Sequence, residues 1–305
     1  MRRWKKKKNV EVGPRDGFQS VKTFIPLEVK QNIIAGLVKS GCQKIQVGSF
    51  VSPKAIPQMR DTAEITEKSL ACYPDTVFFA LVPNLHGAKA AQEAGLREVS
   101  PVISLSERHN MVNVKKTRAE SLAEICKIRE MLPELKITQD IATVFGCPFE
   151  GTMSVNCLVD LIGKLYDLDI RSFTLCDTVG LAYPALVKRT FRTVKKVFPD
   201  AEFGVHIHDT RNMGILNSYT AMKSGADSIQ TAVGGMGGCP FAPGASGNTA
   251  SEDFIYLLDK DGYDTGIDFT TLLETAKYAK KTIPDGTFSG HHVCIPESRT
   301  VCVEN

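Results

Sequence analysis

Short apolar runs alternate regularly with helical patterns along this 305-residue chain, and this order indicates an α/β fold. Eight of these runs have the length and the apolar, β-branched character of strands, and helical patterns separate them. No change of composition marks a linker between domains. The predicted strands are 9–12, 44–47, 77–81, 98–103, 136–143, 172–176, 202–208 and 228–232.

The stretch after the first predicted strand illustrates the helical patterns. Leu27, Ile33 and Leu37 lie on one helical face, Pro26 suits a helix start, and Gly41 suits a helix stop. Comparable patterns lie at 88–94, 118–132, 155–167, 184–197, 213–224, 251–260 and, beyond the eighth unit, 270–281. This α/β order predicts a single (β/α)8 TIM barrel at about 9–262 with a C-terminal helical extension at about 263–305; a doubly wound open sheet is the alternative.

The charge, the apolar runs and the cysteines argue against several classes of protein. The net charge of +3 depends on six Lys and Arg residues within positions 2–8, so it indicates a solvated end and not a nucleic-acid surface. No apolar run reaches the roughly 18 residues of a membrane span, and the basic start precedes no signal-peptide core. Nine irregularly spaced cysteines indicate reduced thiols in a cytoplasmic protein. Cys294 and Cys302 are expected to be free, with a regulatory disulfide as the alternative.

Polar side chains follow the predicted strands, at the points where each strand ends. Arg15 and Asp16 follow the first strand, Gln46 lies at the end of the second, and Asp177 follows the sixth. The carboxyl ends of all barrel strands meet at one mouth, so these residues are expected to share one site. The other polar residues expected there are Asn84, Ser106 to Asn110, His206, His208, Cys239 and Asn248.

The pair His206 and His208 suggests a metal site. Residues two apart on a strand point to the same face, although two unrelated polar residues would show the same spacing. Asp16 and Asn248 end other β/α segments and can each offer an oxygen. Two nitrogens and two oxygens with room for further ligands favour octahedral Mg²⁺ or Mn²⁺ over a closed thiolate zinc site.

Two further residues are candidates for the chemistry itself. Arg15 lies beside the proposed cation, where it could stabilise a developing enolate, form a salt bridge that orients the carboxylate, with Asp177 as one partner, or do both. Cys239 lies in the glycine-rich segment 234–248, whose backbone can move and adopt positive φ. A thiol on such a segment is a candidate proton donor or acceptor. Cys147, in FGCPFEG, is expected to be structural.

Five motifs resemble those of the hydroxymethylglutaryl-CoA lyase family, a group of metal-dependent barrels within the DRE-TIM metallolyases. The resemblance covers about residues 10–265, and the glycine-rich cysteine loop is its most specific part. The motifs are VEVGPRDGFQ at 10–19, SFVSPKAIPQM at 49–59, LCDTVG at 175–180, HIHDT at 206–210 and GGCPFAPGASGN at 237–248.

The resemblance implies a retro-Claisen cleavage of 3-hydroxy-3-methylglutaryl-CoA or an analogue to acetyl-CoA and a 3-keto acid, by a homodimer. It implies a divalent cation, Mg²⁺ or Mn²⁺, and no nucleic-acid or membrane partner. The implied metal ligands are Asp16, His206, His208 and Asn248. The implied catalytic residues are Arg15, Cys239, His206 and Asp177. The implied acyl-CoA contacts are Arg15, Gln19, Lys22, Gln46 and Glu252.

Two departures from the family pattern leave the substrate open. Gln46 stands where the family usually has glutamate, and Thr138 stands where it usually has arginine. A neighbouring group could substitute for the lost carboxylate, or the enzyme could cleave a relative of the parent substrate. The alternatives are a condensing or aldol enzyme of the same barrel and an inactive relative that binds metal or CoA.

Overall fold

The computed structural model describes residues 2–3, 8–238 and 247–295, with the side chains of 2 and 3 left aside. Eight parallel strands follow one another around a closed barrel, and pairing between the last and the first closes it. The predicted barrel is therefore confirmed, and the open sheet is excluded. The strands are β1 (Lys8–Glu11), β2 (Lys44–Ser49), β3 (Val77–Val82), β4 (Glu98–Ser104), β5 (Lys136–Ala142), β6 (Ser172–Asp177), β7 (Glu202–Ile207) and β8 (Ser228–Thr231).

Helices surround the barrel, and every helical pattern predicted from the sequence is present with its ends shifted by at most three residues. The helices are α1 (Leu27–Lys39), α2 (Thr62–Cys72), α3 (Leu85–Glu93), α4 (Glu107–Val114), α5 (Arg118–Met131), α6 (Val155–Tyr166), α7 (Pro184–Val197), α8 (Gly214–Lys223), α9 (Ser251–Lys260), α10 (Phe269–Thr282) and α11 (His291–Cys294).

Three of these helices, α2, α4 and α11, were not predicted because their sequences lack an apolar stripe. The buried face of α2 includes Thr62, Thr66 and Ser69, and the buried residues of α4 are His109 and Asn110. Hydroxyl and amide side chains satisfy their hydrogen bonds inside the protein here. An analysis based on apolar periodicity does not detect such faces.

Helix α10, which lies beyond the eighth β/α unit, packs against the barrel's outer ring. It contacts both α1 and α9. Its approach to α1 is so close that a Cβ atom on Gly36 would lie 2.4 Å from Thr275 Oγ1. The backbone N–H of Asp268, which caps α10, also donates to the Ser40 carbonyl at 2.8 Å. The chain after β8 therefore completes the helical layer next to α1.

Apolar side chains between the barrel and its helices form one extended core that includes the stacked pair Phe173 and Phe203, with ring centroids 5.5 Å apart. Within the part of the chain that the structure describes, no helix combines the length and the apolar character needed to cross a bilayer. Polar side chains gather instead at the carboxyl-terminal mouth of the barrel, where the candidate site lies.

Candidate active site

A cavity opens at the mouth of the barrel, and seven of the residues predicted from the sequence line it. Because these residues come from four separate β/α segments, their common location follows from closure of the barrel. The seven are Arg15, Asp16, Gln19, Gln46, His109, His206 and His208.

Asp16, His206 and His208 form a compact cluster of metal-ligating atoms. Each offers one ligand atom, and these atoms lie within 4.8 Å of one another. The distance to Asp16 Oδ2 is 4.0 Å from His206 Nε2 and 3.7 Å from His208 Nε2. Strand β7 ends at Ile207, so His206 is the second-last residue of the strand and His208 lies just beyond its end.

Asn248, the last residue of the glycine-rich segment 234–248, contacts this cluster. It forms an antiparallel bridge with His208, and its Nδ2 donates to Asp16 Oδ2 and to the Met236 carbonyl, both at 2.8 Å. Its Oδ1 is buried and has no hydrogen-bond partner among the described residues. A buried carbonyl oxygen without a partner is unfavourable, and a cation at this cluster would satisfy it.

The donor set fits a hard divalent cation. Asp16 and Asn248 supply oxygens, the two histidines supply nitrogens, and burial lowers the pKa of His206 to about 3, which keeps its imidazole neutral and able to ligate. Burial alone would raise the pKa of Asp16. The adjacent Arg15 guanidinium and the two imidazoles instead hold that pKa well below its usual range.

Arg15 and Asp16 lie on a short helical turn, Gly13–Gly17, directly after β1. The Arg15 guanidinium forms an ion pair with Asp16 Oδ1, and the arginine side chain remains 18% exposed at the cavity. Asp16 therefore holds the Arg15 guanidinium in place. Arg15 presents a positioned cation beside the cluster.

Glu11, which the sequence did not mark as functional, ties this turn to the loop after β8. Its Oε1 accepts from the backbone N–H of Gly13 at 2.7 Å and of Val233 at 2.9 Å. Its Oε2 accepts from Ser251 Oγ at 2.6 Å. Burial raises the pKa of Glu11 to about 7. A carboxylate inside the apolar strand VEV was the one sequence signal available.

Asp177 does not line the cavity. Its carboxylate is buried and accepts from the backbone N–H of Leu181 at 2.8 Å and of Ala182 at 3.1 Å. Burial raises its pKa to about 6. The ion pair with Arg15 that we considered from the sequence is absent among the described residues, because Arg15 pairs with Asp16. Asp177 thus orders the loop after β6.

Glu252 and Lys22 also lie away from the cavity lining. Glu252 is fully buried at the start of α9 and accepts from the Gly234 backbone N–H at 2.9 Å, so it supports the base of the glycine-rich segment. Lys22 is exposed in the loop that follows Gln19. The predicted acyl-CoA contacts of these two residues stay predictions.

The cysteines divide between described and undescribed parts of the chain. Cys239 and Cys302 lie outside the described residues, although Gly238, directly before Cys239, lines the cavity. The seven cysteines that the structure describes are all free, including exposed Cys294. Cys147 is buried, and its Sγ accepts from the Phe149 backbone N–H at 3.3 Å.

The two departures from the family pattern lie in different places. Gln46 lines the cavity, and its Nε2 donates to Ser100 Oγ at 2.9 Å. Thr138 does not line the cavity; its hydroxyl donates to Glu98 at 2.6 Å. Only the change at position 46 therefore bears directly on the site.

His109, in the stretch Ser106 to Asn110 that the sequence placed at the mouth, is held through Nδ1 by Ser104 Oγ at 2.7 Å, and burial lowers its pKa to about 4. Sequence reasoning missed two further cavity residues, Asp140 and Cys176. Asp140 interrupts the otherwise uncharged interior of β5, which was the available signal for it.

Comparison with known proteins identifies relatives over nearly the whole chain. The family model described as HMGL-like matches residues 6–278. The hydroxymethylglutaryl-CoA lyase of Bacillus subtilis is 36% identical over 273 residues, covering 89% of this chain and 91% of the relative. The (R)-citramalyl-CoA lyase of Chloroflexus aurantiacus is 36% identical over 285 residues, covering 90% of each chain.

Solved structures of HMG-CoA lyases are also similar to this chain. An HMG-CoA lyase from Acinetobacter baumannii in complex with coenzyme A and 3-methylmalate has a TM-score of 0.87 and 37% identity, covering 93% of each chain. The Bacillus subtilis HMG-CoA lyase has a TM-score of 0.90 and 34% identity, covering 96% of this chain and 98% of the other. From the matched family model and these relatives, the chain belongs to the HMGL-like family.

Proposed function

We propose that this protein is a carbon–carbon lyase that cleaves 3-hydroxy-3-methylglutaryl-CoA, or a close analogue, to acetyl-CoA and acetoacetate or another 3-keto acid. One observation carries the proposal: Arg15 adjoins the Asp16, His206 and His208 cluster inside the mouth cavity of an HMGL-like barrel. That arrangement brings a cation-binding group and a fixed positive charge to one reacting centre.

The cofactor that we propose is Mg²⁺ or Mn²⁺, held by Asp16, His206, His208 and Asn248. The unpartnered Asn248 Oδ1 and the mixed oxygen and nitrogen donors support this choice. When bound, such a cation makes a substrate hydroxyl more acidic. Asp16 and the neutral His206 orient the ligand atoms before binding, so little reorganisation is required.

Arg15 stabilises the negative charge that develops on the thioester oxygen as the carbon–carbon bond breaks. Its ion pair with Asp16 fixes the guanidinium, and the turn Gly13–Gly17 aims it at the cavity. A positioned donor of this kind contributes most where water is excluded and charge develops. Glu11 keeps the turn in register with the loop after β8.

Cys239 is the proposed proton carrier for the acetyl-CoA enolate carbon. Support comes from the glycine-rich sequence around it and from Gly238, which lines the cavity immediately before it. A condensing enzyme of the same barrel has no evident need for this thiol. Replacement of Cys239 by alanine therefore separates the two classes.

A citramalyl-type thioester is a second candidate substrate. The Chloroflexus aurantiacus relative carries the name (R)-citramalyl-CoA lyase at the same identity as the hydroxymethylglutaryl-CoA lyase of Bacillus subtilis. Gln46 in the cavity makes the acyl-binding end less acidic than a carboxylate at this position would. Both substrates carry a tertiary hydroxyl and require the same bond cleavage.

A substrate panel tests the proposal. Purified protein is incubated with Mg²⁺ or Mn²⁺, a thiol reductant and a series of 3-hydroxy-3-alkyl acyl-CoA thioesters that includes both candidates. Acetyl-CoA and the released keto acid, acetoacetate from the hydroxymethylglutaryl thioester or pyruvate from the citramalyl thioester, are then measured by mass spectrometry. Cleavage of one thioester supports the lyase, whereas a metal-loaded protein that cleaves none contradicts it and favours an inactive binding relative.

The assembly and location proposed for the protein are a homodimer and the cytoplasm. Both rest on the family resemblance and the basic, cysteine-containing composition. Sedimentation equilibrium of the purified chain tests the dimer. Fractionation of the source cells with an antibody to the chain tests the location.

A further inference from the structure

Asp140 is a buried carboxylate in the cavity that the mechanism above does not use. It projects from β5 and lines the same cavity as Arg15 and Asp16, with 8% of its surface exposed. Arg15 lines the same cavity, and its positive charge favours the charged form of Asp140. The group is therefore close to where an acyl chain would bind.

Two amide-to-hydroxyl hydrogen bonds lie beside Asp140. Gln46 Nε2 donates to Ser100 Oγ at 2.9 Å. Gln230 Nε2 donates to Thr174 Oγ1 at 3.3 Å, and Thr174 pairs with Asp140 across β5 and β6. Each hydroxyl accepts from an amide, so its own proton is available to the carboxylate, and both hydroxyls favour the charged form of Asp140. This end of the cavity is thus organised around one acceptor.

The carboxylate still has unused capacity. Its Oδ1 is buried without a hydrogen-bond partner among the described residues, where it also forms no ion pair. The nearby cation, Arg15, is committed to Asp16. A buried carboxylate oxygen that lacks a donor inside an open cavity is suited to a donor on a ligand.

We propose that Asp140 binds the substrate by accepting a hydrogen bond from the hydroxyl of the acyl group. This inference rests on the proposed lyase function and names the group that the site recognises. It makes Asp140 a specificity residue that favours hydroxylated acyl thioesters over their deoxy counterparts. The same negative charge disfavours an acyl group that would bring its own carboxylate to this position.

The test measures binding without cleavage. Two CoA thioethers are used, a 3-hydroxy-3-methyl and a 3-methyl analogue of the substrate in which a methylene replaces the thioester carbonyl, so that no enolate can form. Calorimetry with the Mg²⁺-loaded enzyme gives both dissociation constants for the wild type, Asp140→Asn and Asp140→Ala. Asp200→Asn, an identical change at an exposed position, is the control.

The wild type is expected to prefer the hydroxylated thioether, and Asp140→Asn to reduce that preference by about tenfold, typical of a hydrogen bond to a charged group. Asp140→Ala reduces it at least as much, and Asp200→Asn leaves it unchanged. Metal content, measured by atomic emission, stays the same in all variants. An unchanged preference in both Asp140 variants, or a loss explained by lost metal, overturns the inference. Turnover by the wild type in the same preparation shows that the lyase proposal stands regardless.

Discussion

Asn248 Nδ2 lies 2.8 Å from Asp16 Oδ2, although 232 positions separate the two residues in the sequence. The contact joins the turn after β1 to the end of the glycine-rich segment after β8. A Cβ atom on Gly237 would lie 2.4 Å from Asn248 Nδ2, so glycine at that position permits the approach. The candidate metal site therefore draws its ligands from both sides of the closure between the first and the last strand of the barrel.

Replacement of Asn248 by alanine is expected to weaken Mn²⁺ binding by about 10- to 100-fold, because an oxygen ligand and its contact with Asp16 are both removed. Isothermal titration of the EDTA-treated protein with Mn²⁺ measures the change. Asn156→Ala, at an exposed position on α6, is the matched control. Equal Mn²⁺ affinity in both variants would show that Asn248 is not a ligand.

Arg15→Gln is expected to lower kcat by about 10²- to 10³-fold, since it removes a positioned donor at the developing enolate oxygen. Arg15→Lys keeps the charge but loses the planar fork, so it should recover only part of that rate. Steady-state kinetics on the cleaved thioester, with bound metal quantified, test both variants. A rise in KM at constant kcat would instead assign Arg15 to ground-state binding.

Cys239→Ala is expected to reduce turnover by at least about 10²-fold, the usual contribution of a proton-transfer group. The exposed thiol of Cys157 on α6 provides the control Cys157→Ala, which should retain full activity. Acetyl-CoA formation is the readout. Full activity in Cys239→Ala would move the protein toward the condensing class.

The buried carboxyls make stability depend on pH. Burial raises the pKa of Glu252 from 4.5 to about 8, so between these values the folded state binds more protons than the unfolded state. The contribution of Glu252 to the free energy of unfolding is therefore greatest at and below about pH 4.5. It falls as pH rises toward 8, by at most about 1.4 kcal/mol per pH unit.

Urea unfolding at several pH values between 5 and 8 tests this dependence. Glu252→Gln removes the titration and should flatten the fall in the free energy of unfolding. Glu93→Gln, at an exposed position on α3, should leave it unchanged. The same slope of unfolding free energy against pH in all three proteins would contradict a raised pKa for Glu252.

The contact between α1 and α10 predicts opposite effects for two Gly→Ala changes. Gly36→Ala brings a Cβ atom within 2.4 Å of Thr275 Oγ1, whereas a Cβ atom on Gly163 in α6 meets nothing within 4 Å. In Gly36→Ala, overpacking should lower the free energy of unfolding by about 1–3 kcal/mol. The higher helix propensity of alanine offsets part of this loss. Gly163→Ala should gain about 0.5–1 kcal/mol.

Urea unfolding measures both changes, and a double variant checks the cause. Adding Thr275→Ala removes the crowding oxygen and methyl group, so it should restore most of the loss at Gly36. A loss that persists in the double variant would place the strain somewhere other than the α1 and α10 contact.

Local sequence patterns were sufficient to predict the barrel and half of the site. Alternating strand and helix patterns are local, and the two-residue period puts His206 and His208 on one face without knowledge of the rest. The turn carrying Arg15 and Asp16 follows the first strand, so its position at the mouth also follows from strand order.

Which polar groups face the cavity depends on how distant segments pack together in the folded barrel. Asp177 ends β6 and Glu252 lies in the first turn of α9, yet backbone N–H groups of neighbouring loops hold their carboxylates away from the cavity. Asp140 lies within a strand and faces the cavity, and one of its oxygens has no hydrogen-bond partner among the described residues. A buried carboxylate turns to the nearest donors, and those donors come from segments distant in sequence. Local patterns therefore identify the strand that carries a group, while packing decides what that group contacts.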